Sequence, residues 1–100
     1  MFHPAGKCVS GLIMENPRLK RLQFRAWHRG TREADYMIGC YFDRFHSTWG
    51  EVEIAWFEAL IEEEDIDILG WALGTLSVPP EYAGPMMERM TLLDYVEIPN

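Results

Sequence analysis

A chain of 100 residues has room for one domain with a modest core. Its hydrophobic share of 48% and aromatic share of 13% favour a folded protein over a disordered one. The net charge of −7 argues against a nucleic-acid binder, because acidic surfaces repel the phosphate backbone.

The charges are divided unevenly along the chain. Six of the nine basic residues lie between Arg18 and Arg32, whereas Arg89 is the only basic residue after His46. This polarity favours a protein partner or a small anionic ligand. A helix-turn-helix protein that recognises DNA bases with a helix at residues 18–29 is a weaker alternative, since the acidic remainder of the chain would repel DNA.

The cysteines and the N-terminal composition indicate a cytoplasmic protein. Cys8 and Cys40 are too few for a disulfide framework. Residues 1–14 have no long apolar stretch and a single basic residue, Lys7, so we expect neither a signal peptide nor a transit peptide. No window approaches the roughly 18–20 apolar residues that span a bilayer, so no membrane insertion is expected.

The first predicted helix follows an aperiodic segment, residues 1–15, which we expect to be a flexible tail. Asn16 offers a side-chain acceptor at the N-cap, and Pro17 suits the first helical position. The helix is predicted from Pro17 to His28, and Gly30 ends it. One face carries the residues expected in the core: Leu19, Leu22 and Ala26.

The second predicted helix, capped by Thr31, has the clearest helical period of the chain. Its apolar residues recur at intervals of three and four, namely Ala34, Met37, Ile38, Tyr41, Phe42 and Phe45. Gly39 lies inside this pattern and indicates a close contact with another helix.

Three more helices are predicted. Thr48 and Glu51 match the capping box S/T-x-x-E, which opens the third helix. The face of this helix is formed by Val52, Trp56, Ala59, Leu60 and Glu63, flanked by Ile54, Phe57 and Ile61. Like charges at residues 62–65 oppose the helix dipole and end it. Phe42, Trp56 and Leu60 are expected in the core.

Asp65 or Asp67 is expected to cap a short fourth helix over residues 66–73, which Gly74 ends. The last helix is predicted from about Pro85 to Tyr95. The pattern therefore predicts an all-α protein, a compact five-helix bundle over residues 16–95 with tails at 1–15 and 96–100.

The motifs of catalysis and metal binding are missing from the sequence. His3, His28 and His46 lack metal-ligand spacing, and neither cysteine lies in a CxxC motif. The chain has neither a glycine-rich phosphate loop nor the Gly-x-Ser-x-Gly motif of a nucleophilic serine. We expect no enzymatic activity and no bound metal, and we interpret residues 62–65 as a solvated acidic helix end.

One segment, residues 27–33, concentrates charge at a tight turn. Gly30 lets the backbone turn sharply, and the helix that follows offers free N–H groups at its N-terminus. Glu33 lies in the first turn of that helix and is placed to pair with Arg29. Taken alone, these residues indicate a well-capped corner between two helices.

The corner resembles a known signature. Arg-Gly-x-x-Glu at residues 29–33, with Trp27 before it and Asp35 after it, resembles the signature of the succinate dehydrogenase assembly factor family, bacterial and mitochondrial. Other landmarks occur in the same order as in that family: Pro17-Arg18-Leu19-Lys20-Arg21-Leu22, Phe42, Thr48-x-x-Glu51, Asp65-x-Asp67-Ile68 and Trp71. The resemblance covers about residues 16–74. It departs at His28, where the family often has arginine, and at Ile66, where proline is common.

The resemblance implies a function. Family members bind the flavoprotein subunit of succinate dehydrogenase, or of fumarate reductase, and promote covalent linkage of FAD to a histidine of that subunit. It implies a monomeric helper that holds no cofactor tightly and acts on FAD attached to its client. The client contact would comprise Arg29, Gly30, Arg32 and Glu33, extended by Arg25, Trp27, His28 and Asp35; Trp27 is equally a candidate for the core. A generic, antitoxin-like regulatory module using the same surface stays open, as does direct FAD binding.

Overall fold

A computed structural model describes residues 16–97, which fold into five α-helices. These are α1 Pro17–Trp27, α2 Arg32–Phe45, α3 Glu51–Leu60, α4 Asp65–Leu73 and α5 Pro85–Thr91, with a 3-10 turn at His46–Thr48. No strand occurs within the described range, so the all-α prediction is confirmed. The predicted tail at 1–15 and the end of the one at 96–100 lie outside the described residues.

The first two helices form as predicted. The Asn16 side chain accepts hydrogen bonds from the N–H groups of Arg18 and Leu19 at 3.0 and 3.3 Å, and α1 ends at Trp27, one residue before the predicted His28. Thr31 caps α2, as predicted. Both predicted inner faces are buried, with Leu19, Leu22 and Ala26 on α1 and Ala34, Ile38, Tyr41 and Phe42 on α2.

Gly39 of α2 lies directly against the side chain of Trp27 on α1, the close helix contact that its place in the sequence predicts. A Cβ atom on Gly39 would lie 2.4 Å from Cδ2 of Trp27. The indole also donates its Nε1–H to Asp43 at 3.0 Å. Two contacts therefore hold Trp27 in place: its ring packs on the backbone of Gly39, and its N–H binds the carboxylate of Asp43.

Two arginines of α1 pair with acidic residues of α3 and of the turn that follows it. Arg18 holds both carboxylate oxygens of Glu58 at 2.7 and 2.8 Å and also binds Glu51 at 2.8 Å. Arg25, about two turns after Arg18, pairs with Glu62 in the turn after α3. These arginines lower the pKa of each of the three glutamates through side-chain hydrogen bonds.

The start of α3 differs from the prediction. Thr48 lies in the 3-10 turn and donates its hydroxyl to the carbonyl of Phe45, so it does not form a capping box with Glu51. The helix begins after Gly50, whose N–H donates to Glu53 at 2.8 Å. Glu53 thus accepts from the N-cap N–H, which is one half of a capping box, two residues later than expected, because the 3-10 turn uses the intervening residues.

The buried face of α3 is also rotated from the predicted one. Phe57 and Leu60 are completely buried, whereas Val52 is exposed and Trp56 is only half-buried. The predicted core positions Phe42 and Leu60 are confirmed, and Trp56 is partly buried and packs against the core. Phe57 takes the central place because its ring lies within 6.1 Å of the Tyr41 ring, nearly parallel to it.

The last two helices are shorter or capped differently than predicted. Helix α4 begins after Glu64, which makes no side-chain cap, and ends at Gly74 with φ +83°. Helix α5 ends at Thr91 instead of continuing to Tyr95, because Leu93 adopts φ 58° and turns the chain back. Tyr95 then folds into the core. None of the described helices is long and apolar enough to cross a bilayer.

Candidate functional site

The corner between α1 and α2 is a tight turn held by two side-chain caps. Gly30 has φ +120°, a conformation that L-residues rarely adopt. Thr31 accepts a hydrogen bond from the N–H of Ala34 at 3.2 Å, and Asp35 accepts one from the N–H of Arg29 at 2.6 Å. The turn is therefore fixed from the start of α2, on both sides of the glycine.

Arg29 points into the molecule instead of into solvent. Its Nε donates to Asp65 at 2.7 Å, and its Nη1 and Nη2 donate to the carbonyls of Ile61 and Glu63 at 2.8 and 3.1 Å. The side chain is only 9% exposed. The guanidinium thus binds the C-terminal end of α3, where carbonyls lack helical partners, and the first residue of α4.

The rest of the motif faces outward. Gly30, Arg32 and Glu33 are exposed, and neither charged side chain forms a hydrogen bond or ion pair with another residue of the range 16–97. The pairing of Glu33 with Arg29 that the sequence suggests does not form, since Asp65 takes that place. The motif therefore has two parts: Arg29 points into the molecule, whereas Gly30, Arg32 and Glu33 face outward.

An open groove of about 830 Å³ runs along the α1–α2 side of the corner. It is lined by Lys20, Gln23, Phe24, Trp27, His28, Gly30, Thr31, Arg32, Asp35 and Tyr36. Aromatic rings form its walls: Phe24 stacks on His28 at 3.9 Å, and Trp27 meets Tyr36 edge-on at 6.0 Å. His28 donates from Nδ1 to the carbonyl of Phe24 at 2.7 Å, which fixes the stack.

The predicted site residues fall into three environments. Trp27, His28, Gly30, Arg32 and Asp35 line the groove. Glu33 is exposed beside it, and Arg29 and Arg25 are engaged with acidic residues of other elements.

Sequence reasoning missed two features of this site. Phe24 and Lys20 line the groove but were not among the predicted contacts; the spacing of four between Phe24 and His28 is the signal that pairs them on one helix face. Asp65, the partner of Arg29, lies 36 positions away in the sequence. No local pattern reports that pairing.

The site has the character of a recognition surface. Among the described residues no group of three or more histidine, cysteine, aspartate or glutamate side chains is placed to hold a metal ion. The polar groups that face outward are cationic or carboxylate side chains at a fixed turn, and such groups form charge-assisted hydrogen bonds with a partner.

Comparison with known proteins gives consistent matches. The family model described as "Flavinator of succinate dehydrogenase" matches residues 20–93, which include the whole corner. The FAD assembly factor SdhE of Acetobacter pasteurianus is 39% identical over 84 residues, covering 82% of this chain and 77% of that protein.

Two mitochondrial proteins also match. The succinate dehydrogenase assembly factor 2 of Drosophila grimshawi and that of Drosophila virilis are each 32% identical over 75 residues, or 73% of this chain. The matches cover 51% and 48% of those proteins, so the chain spans about half the length of its mitochondrial relatives. All of these names describe assembly factors and none describes a catalyst.

Proposed function

Because the chain belongs to the family described as flavinators of succinate dehydrogenase, we propose that it binds the flavoprotein subunit of that enzyme and promotes covalent attachment of FAD to it. The observation that carries the proposal is the divided corner, in which Arg29 is fixed internally while Gly30, Arg32 and Glu33 face outward. A rigid turn with unpaired charges is suited to binding a partner at low entropic cost.

Each residue of the corner has a distinct part in this proposal. Gly30 lets the client backbone approach. It has no side chain and, its chain neighbours aside, no atom of the described residues lies within 4 Å of the position that a Cβ would take. Arg32 offers a forked donor to client carboxylates, and Glu33 offers a carboxylate that orients a client group. Arg29 is a positioning residue that holds the turn against α3 and α4. Arg25, Trp27, His28 and Asp35 extend or support the contact.

The chemistry of linkage belongs to the client in this proposal. The flavoprotein supplies the histidine and the bound FAD, and the helper holds the subunit in the arrangement in which the bond forms. The helper itself holds no cofactor tightly. We extend the proposal to the flavoprotein subunit of fumarate reductase as a second client, and to a monomer that acts in the cytoplasm.

Co-expression tests the proposal directly. The flavoprotein subunit is produced with and without this chain, and covalent flavin is read by in-gel fluorescence after denaturation. We expect strong fluorescence only when the chain is present. Equal fluorescence without it would refute the proposed function.

Glu33→Ala provides the sharpest variant, because Glu33 is exposed and has no described partner. We expect this variant to lose client binding while its free energy of unfolding falls by no more than about 0.3–1 kcal/mol, the contribution of a carboxylate at a helix N-terminus. Glu81→Ala, at an exposed position in another segment, is a matched control that should keep full binding. Loss of binding in both variants would mean that general charge, not the corner, attracts the client.

A further inference from the structure

We propose that the groove beside the corner binds an acidic segment of the flavoprotein that carries an apolar or aromatic side chain. This inference rests on the proposed function and names the chemistry of the client segment.

Charge is the first argument. Lys20 and Arg32 line the groove, and both are exposed and without a hydrogen bond or ion pair to any described residue. Arg18, Arg25 and Arg29, by contrast, are all paired with acids of α3, of α4 or of the turn between them. A chain of net charge −7 thus leaves two cations unpaired at the edge of this groove, which favours an anionic occupant.

Among the described residues, Asp35 is the one carboxylate in the lining and keeps its negative charge, so the two cations leave a formal excess of one positive charge. One oxygen of Asp35 accepts a hydrogen bond from the N–H of Arg29 at 2.6 Å. The N-terminus of the fourteen-residue helix α2 opens at the same corner, and its positive dipole end adds to the attraction for a carboxylate.

The apolar wall is the second argument. Phe24 is 62% exposed although it is a large aromatic residue on a helix with a well-defined buried face. Its ring is held by the stack on His28, so the exposed face is presented in one orientation. A fixed exposed aromatic ring next to unpaired cations matches a segment in which a carboxylate and an apolar side chain alternate.

Charge reversal tests the ionic part. Lys20→Glu and Arg32→Glu are each compared with Arg44→Glu, which alters an exposed cation near the end of α2 that does not line the groove. Affinity for the purified flavoprotein subunit is measured by calorimetry at low and high salt. We expect each groove variant to bind about 10-fold more weakly and with a reduced salt dependence, and Arg44→Glu to bind within about 2-fold of wild type.

These outcomes separate the two proposals. If the wild-type chain does not bind the subunit at all, the proposed function fails. If the wild type binds and Glu33→Ala does not, but Lys20→Glu and Arg32→Glu match Arg44→Glu, the function stands and the groove proposal is wrong.

Photo-crosslinking tests the chemistry of the occupant. Phe24 is replaced by p-benzoylphenylalanine, and Leu92, which is 61% exposed on another helix end, receives the same probe as a control. We expect the Phe24 probe to capture one client segment rich in aspartate or glutamate, and the Leu92 probe to capture none. A captured segment without carboxylates would overturn the proposal.

A nucleotide occupant gives a different result. Free FAD is titrated into the chain alone by calorimetry. We expect no binding. FAD binding that Lys20→Glu and Arg32→Glu abolish would assign the groove to the flavin diphosphate and refute the peptide proposal.

Discussion

Replacing Arg29 by alanine removes the contacts that tie the corner to α3 and α4. The guanidinium donates to Asp65 and to the carbonyls of Ile61 and Glu63 at 2.7–3.1 Å. The Arg29 and Asp65 side chains are 9% and 24% exposed, so water replaces these contacts poorly. A hydrogen bond to a charged group stabilises by about 1.5–3 kcal/mol, and losing one partner of a buried pair costs about 3–5 kcal/mol.

We expect Arg29→Ala to lower the free energy of unfolding by about 2–4 kcal/mol, somewhat less than a fully buried pair because water reaches Asp65. Urea unfolding followed by circular dichroism measures this loss. With a slope of about 1–2 kcal/mol per molar urea for a domain of this size, the midpoint should fall by about 2 M. Arg29→Lys should lose about half as much, because an ammonium cannot reproduce the planar fork.

A double-mutant cycle isolates the pair. Asp65→Asn alone should destabilise the chain, and combining it with Arg29→Ala should cost less than the sum by at least about 1 kcal/mol. The reasoning is refuted if Arg29→Ala unfolds within about 0.5 kcal/mol of wild type yet loses client binding. That combination would mean that Arg29 contacts the client directly.

Three further predictions concern packing, pH and the turn. Gly39→Ala should cost about 1–3 kcal/mol and lower the thermal midpoint, because its Cβ would lie 2.4 Å from Trp27; an unchanged midpoint would contradict this. Arg18 holds the pKa of Glu58 below its usual 4.5, so this stabilisation is complete above the unfolded pKa and is lost as the pH falls through the lowered folded value. Stability measured from pH 6 to pH 3 should fall less steeply in Glu58→Gln than in wild type, and equal slopes would argue against the ion pair. Gly30→Ala should cost about 1–3 kcal/mol in urea unfolding without any steric clash, since only its φ of +120° is strained; wild-type stability would show that the turn relaxes.

Local signals account for the parts of the fold that the sequence predicted well. The Asn16-Pro17 start, the Thr31 cap and the spacing of apolar residues in α2 act within one or two helical turns, and all were confirmed. Gly39 also indicated a close helix contact correctly. A glycine destabilises a helix interior, so within a clear helical pattern it indicates a place where a side chain would not fit.

The two errors at helix ends have different causes. The start of α3 moved to Gly50 because a 3-10 turn follows α2; the Gly50 N–H then donates to Glu53, a local signal that the S/T-x-x-E pattern overlooked. Helix α5 stops early because Leu93 turns and lets Tyr95 enter the core. That early end has no signal within a few residues, since it depends on the packing of Tyr95 against Tyr41.

The sequence predicted which residues form the site but not how their side chains are arranged. The motif at residues 29–33 was found from sequence, whereas the inward direction of Arg29 depends on Asp65 and on carbonyls at the end of α3. The groove needs Phe24 and Lys20 of α1 beside Arg32 of α2, which only the packing of the two helices brings together.

The most direct test of the account is a reconstitution with purified components. The flavoprotein subunit without covalent flavin is mixed with FAD, and covalent attachment is followed over time by mass spectrometry with and without the purified chain. We expect the wild-type chain to accelerate attachment by at least about 10-fold, a transition-state effect of about 1.4 kcal/mol, and Glu33→Ala to give the rate seen without it. An unchanged rate with the folded wild-type chain, or full acceleration by Glu33→Ala, would contradict the assignment of flavinylation to this corner.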